Sequence, residues 1–156
     1  MKPVTRELLA SREDAWGFLA EPYHLSDWWP GMLSVEPDRR GFAPGARWQV
    51  AVYADPLRIG PLRFPQVGRP SGPSARQTLV IVAIEPFERW EWNLIRRLSG
   101  PGERTATRSV EIVLRELAPD KTEAAVSVVE GTRPDPRLAR TAVDRLYDLV
   151  QTAAAL

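Results

Sequence analysis

The sequence contains no cysteine, which excludes a disulfide framework, thiolate chemistry and any zinc site built on cysteine. It has a single histidine, His24, so an HExxH motif or a histidine-rich metal cluster is excluded as well. One histidine and scattered carboxylates form no recognisable ligand spacing, and neither a metal nor a cofactor is expected. Charge of one sign is also missing. The 21 Lys+Arg and 20 Asp+Glu leave a net +1, too little for a broad field that would hold nucleic acid or anionic lipid. No apolar run approaches the roughly 18–20 residues of a membrane span. The opening MKPVTRELLASRED lacks the apolar core of a signal peptide. The expectation is a cytoplasmic chain without stable membrane insertion.

What is present suits a globule. Apolar residues make up 44% of 156 residues, enough for one hydrophobic core in a single domain over 1–156. All basic residues but Lys2 and Lys121 are arginine, which together with 15 prolines reads as codon usage rather than selection for guanidinium chemistry. The six tryptophans are many for this length, and each buries a large area.

Val4 to Ala10 is short enough for a strand. Ser11 then suits a helix N-cap, with Glu13 and Asp14 in the first turn and Ala15, Trp16, Phe18 and Leu19 on one face. Pro22 stops this helix, and a second short one covers His24 to Trp29. From Ala46 the period becomes two. Trp48, Val50 and Val52 share one face, as do Trp90, Trp92 and Leu94, and Val110, Ile112 and Leu114. Leu79 to Ile84, rich in β-branched residues, reads as a well-buried strand, and Thr122 to Gly131 as another. Hairpin after hairpin predicts an antiparallel sheet. Asp135 caps a C-terminal helix whose Leu138, Ala139, Ala142, Val143, Leu146, Leu149, Val150 and Ala153 fall within an arc of about 140°. The stretch Ala54 to Ala75, with five prolines, is either a tolerated surface insertion or a lid over a site.

The order strand, two short helices, antiparallel strands and long helix comes with three local patterns: Ala10–Leu19 carrying Trp16, Leu25-Ser26-Asp27-Trp28-Trp29-Pro30, and Gly41 and Gly45 before a strand. Together these resemble the SRPBCC superfamily of START-like, polyketide cyclase/dehydrase-like and birch-pollen-allergen-like proteins, over nearly the whole chain. The resemblance implies an α+β helix-grip fold, a curved antiparallel sheet wrapped around the long C-terminal helix, with two short helices after the first strand. It implies an internal cavity for a small hydrophobic molecule such as a lipid, quinone or polyketide-like compound. A polyketide cyclase/dehydratase-like enzyme and a protein-interaction module of the co-chaperone-like branch are the alternatives. No catalytic motif is common to the superfamily, so no catalytic residue carries over.

On that reading the ligand-binding candidates are Trp29, Trp48, Val50, Trp90, Trp92, Leu94, Arg108, Val110, Ile112, Val143, Leu146 and Val150. Such a lining, mostly apolar with a few polar groups, suits a pocket, and filled core is the plain alternative. Strand parity also puts Arg96 and Arg108 in line with the apolar sets and Glu130 in line with Val126 and Val128. Arg108 would orient a ligand carboxylate or enolate, or would snorkel to water. His24, the single imidazole, is either a general base with Asp27 close by to orient it or an exposed side chain of a short helix or loop. Trp28-Trp29-Pro30 either lines the cavity mouth or packs the short helices.

Overall fold

Alternation of apolar and polar residues carries the middle of the chain into one sheet. The computed structural model describes residues 2–53, 74–98, 102 and 104–154. Its strands are β1 (Val4–Leu8), β2 (Met32–Glu36), β3 (Arg47–Tyr53), β4 (Ser74–Glu85), β5 (Arg89–Leu98), β6 (Arg104–Ala118), β7 (Lys121–Glu130) and β8 (Arg133–Pro134). All pairings are antiparallel, in the order β1-β7-β6-β5-β4-β3-β2, with β8 on β7. The helices are α1 (Arg12–Ala20), α2 (Leu25–Trp28) after a 3-10 turn at Pro22–His24, and α3 (Pro136–Ala154). This is the expected α+β helix-grip architecture.

Local chemistry sets the boundaries. The Ser11 hydroxyl accepts from the Asp14 amide at 3.1 Å, and the Asp135 carboxylate accepts from the Leu138 amide at 3.0 Å, so both predicted caps form. α3 packs on β1 and β7 with Leu138, Ala139, Ala142, Val143, Leu146 and Val150 buried. Leu149, placed on the same stripe, is only partly buried. The turn between β4 and β5 carries Phe87 at φ 66°, a left-handed conformation that costs a non-glycine residue energy.

One expectation needs correction. Leu79 to Ile84 is not buried throughout: Leu79 and Ile81 are, whereas Val82 is 45% exposed. The outer face of an antiparallel sheet borders water, so the run packs only one side, and a bulge between Ile81 and Ala83 shifts its phase. β2 is a strand with no period-two signature. A bulge between Met32 and Ser34 places its buried residues, Met32 and Val35, three apart. The expected insertion at Ala54 to Ala75 lies outside the described residues except for Ser74 and Ala75, whose backbone belongs to β4.

Candidate functional site

The inner face of the sheet is built from cross-strand rows. One row runs Trp48, Leu79, Leu94, Arg108, Glu130 from β3 to β7. The next runs Ile81, Trp92, Val110, Val128. Every predicted site residue is buried apart from Arg108, which is partly exposed. The tryptophans meet: Trp90 and Trp92 have ring centroids 4.4 Å apart, Trp29 and Trp92 5.1 Å, and Trp48 and Trp90 5.9 Å. Trp28 and Phe42 complete the group, Phe42 lying 4.9 Å from Trp90. Trp28, Trp48, Trp90 and Trp92 expose 0% of their surface. Trp28 and Trp29 belong to this core rather than to a rim, because their rings interlock edge to face with each other and with Trp92.

Hydrogen bonding in this core is incomplete. The Trp48 indole donates to the Gly41 carbonyl at 2.7 Å, but the indole N–H groups of Trp28, Trp90 and Trp92 are buried with no partner. A buried donor without an acceptor typically costs about 1–3 kcal/mol, less where a ring face takes the N–H.

Away from the tryptophans the same face turns polar and more exposed. Along β5 the side chains pass from fully buried Trp92 through Leu94 to Arg96, whose side chain is 37% exposed. On β6 and β7 the same progression ends at Arg108, with a side chain 16% exposed, and Glu130, 28% exposed. Arg108 donates Nε–H to Glu130 Oε2 at 2.8 Å, and Arg96 donates to the other oxygen, Oε1, of the same carboxylate. Gln77, on β4 opposite Val50, is 9% exposed and its side-chain oxygen is buried without a partner. Two guanidiniums thus share one carboxylate at the more exposed end of a largely apolar face.

His24 lies elsewhere. Its Nδ1 is 3.1 Å from Asp27 Oδ2, and its ring is 5.4 Å from that of Phe18. It lines a surface groove of about 450 Å³ between α1 and the C-terminal half of α3, with Glu13, Asp14, Phe18 and Val150. Val150 is the single predicted site residue that reaches this groove. On the outer face, Arg89 donates to Glu111 at 2.7 Å, and that hydrogen bond raises its pKa above the ordinary guanidinium value. Among the described residues no group of three or more His, Cys, Asp or Glu side chains is placed to hold a metal ion. No helix there is long and apolar enough to cross a membrane.

No protein-family model matches the chain, and no curated protein matches it. Solved structures do. A START superfamily protein from Mycobacterium smegmatis superposes with a TM-score of 0.64 at 13% identity, covering 96% of each chain. The fold is the START-like helix grip. Ara h 8.0201 shares it, with a TM-score of 0.60 at 14% identity over 96% of this chain and 95% of that one. The di-domain ARO/CYC StfQ from the steffimycin biosynthetic pathway gives 0.62 at 16% identity, with 99% of this chain matching 44% of that longer one. At these identities the likeness concerns the START-like backbone, and the side chains above are this chain's own.

Proposed function

We propose that this chain binds a small, mainly hydrophobic molecule between the inner face of the sheet and α3. The molecule enters at the end marked by Arg96, Arg108 and Glu130. One observation carries the reading: the inner face is filled with aromatic rings at its centre and becomes more exposed toward that end, where charged side chains interrupt the apolar rows. A purely structural core has no need of a charged border on its inward face, whereas a pocket combines apolar walls with a few polar groups. The START-like fold supports the same reading. Leu94, Val110 and Val50 form the apolar wall next to the opening, and Arg108 is the nearest polar group. A cytoplasmic location goes with this reading.

Binding is favoured over cyclase/dehydratase chemistry by where the acid–base candidates sit. His24 is engaged with Asp27 in the outer groove and has no hydrogen bond to the arginine–glutamate group. An interaction module would present a continuous apolar patch. The exposed large apolar side chains among the described residues (Leu9, Tyr23, Leu33, Val82, Phe87 and Leu117) instead fall on separate elements.

Native mass spectrometry of freshly purified protein, followed by solvent extraction, tests the proposal. A discrete bound hydrophobe is expected. A clean apo mass, together with unchanged tryptophan fluorescence on titration with fatty acids, quinones and polyketide-like aromatics, overturns it.

A further inference from the structure

Arg96, Arg108 and Glu130 have a charge relationship that their structural role does not use up. Glu130 satisfies one N–H of each arginine, and among the described residues neither guanidinium has a second ion-pair partner. Two positive groups against one negative leave a net +1 on this cluster of described residues. A guanidinium carries five N–H donors in a planar fork, so each arginine keeps donors in reserve. Arg108 spends only Nε–H on Glu130, and its side chain is still 16% exposed. This residual charge sits in the same cross-strand row as Leu94 and one row from Val110, where the apolar wall begins. Nearby, the unpartnered Gln77 oxygen adds an acceptor for a hydroxyl or a water.

From this we infer that the occupant is an amphipathic acid: an apolar body against Leu94 and Val110, and a carboxylate held by Arg108 and Arg96. This deepens the proposed binding function and rests on it. The fork geometry matches a planar carboxylate, and a charge-assisted contact at a partly dehydrated rim is stronger than a neutral one. Glu130 has a second role here. It fixes both guanidiniums in position, and it lowers the attraction for an incoming anion so that binding stays reversible.

Two matched probe pairs test the assignment by calorimetric titration at pH 8: decanoate against 1-decanol, and 2-naphthoate against 2-naphthalenemethanol. The intact chain should bind at least one acid about tenfold or more tightly than its alcohol, the scale of one charge-assisted hydrogen bond. Arg108→Gln should abolish that preference and leave alcohol binding within about twofold, as expected when only a charged contact is lost. Glu130→Gln should tighten the acid, because the rim then carries two unbalanced positive charges. Were the triad merely structural, Glu130→Gln and Arg108→Gln would weaken acid and alcohol alike, and the assignment would fall. Equal affinity for acid and alcohol in the intact chain overturns it while leaving the binding function standing. No binding of either pair overturns the assignment, and the native mass measurement above then decides whether the binding function stands. Thermal unfolding monitors the fold of each variant, and the more exposed Arg96→Gln replaces Arg108→Gln if the latter does not fold.

Discussion

Arg6 on β1 donates Nη1–H to Asp144 on α3 at 2.8 Å, and its guanidinium lies 3.8 Å from the centre of the Tyr147 ring. This contact joins the first strand to the last helix across the sheet's inner face. Both charged partners are more than a third exposed, so solvent screens the pair and its worth is at most about 1 kcal/mol. The ring contact adds about 0.5–1 kcal/mol. Arg6→Leu should therefore lower stability by about 1–2 kcal/mol in urea denaturation, and Asp144→Asn by less than about 1 kcal/mol. The Asp144 hydrogen bond raises the Arg6 pKa. Stability from a raised group is present below its unfolded value and lost only above it. The Arg6 contribution should therefore stay constant from pH 5 to pH 9, on the order of three units or more below a guanidinium's pKa.

Trp92 should behave as a core residue. Trp92→Ala should cost about 3–5 kcal/mol, the usual loss for an aromatic removed from close packing. Trp92→Phe keeps an aromatic but smaller ring and removes an unpartnered buried N–H, so it should cost less than the alanine variant, about 1–2 kcal/mol. Equilibrium unfolding of the two variants checks this. Similar losses in both would mean that the indole N–H has a partner in solution.

Acid should weaken the segment before β3. The Asp38 carboxylate accepts from the backbone N–H of Arg47 at 2.9 Å, of Arg40 at 3.0 Å and of Gly41 at 3.2 Å. These bonds, that from Arg47 foremost, hold its pKa below the usual carboxylate value. The unfolded chain therefore binds this proton more readily. The resulting stability is present above about pH 3.9 and is lost as pH falls through the lowered value. Asp38→Asn should flatten the stability profile between about pH 4 and pH 2. Urea midpoints measured at pH 6 and pH 3 report the difference.

Phe87 offers the opposite sign. Its φ of 66° disfavours a bulky side chain, and the ring is 42% exposed, 6.3 Å from Trp16. Asparagine tolerates that conformation better. Phe87→Asn should be neutral or stabilising by up to about 1 kcal/mol in thermal unfolding, despite the loss of an aromatic contact.

The elements with an unbroken period were legible from the residues alone. α3 announces itself by its apolar stripe and the Asp135 cap, and β3, β5 and β6 by alternation. β2 was illegible because its bulge breaks the alternation, and Phe42 because it lies in an irregular segment with no period to mark it as core. Parity put Arg96, Arg108 and Glu130 on the apolar side. Their convergence on one carboxylate depended on the registers Leu94 opposite Arg108 and Arg108 opposite Glu130, which two separate hairpins set. Parity gives a face, not a row, and so it could not join these three. The same limit explains Trp29, which sequence placed at a mouth or in packing and which the tertiary fold sets against Trp92.

The strand order also has a consequence for how the chain is assembled. From β2 to β7 each strand pairs with its neighbour in sequence, whereas β1 pairs with β7, Val4 opposite Val126. A nascent chain emerging from the ribosome can therefore zip the middle of the sheet hairpin by hairpin. Its first-made strand must wait for the last long one, and contacts between distant segments are the slow ones to form. During that wait the tryptophan face lacks both β1 and α3. A transient partner that shields this face would have its greatest effect in the interval between synthesis of β6 and completion of α3.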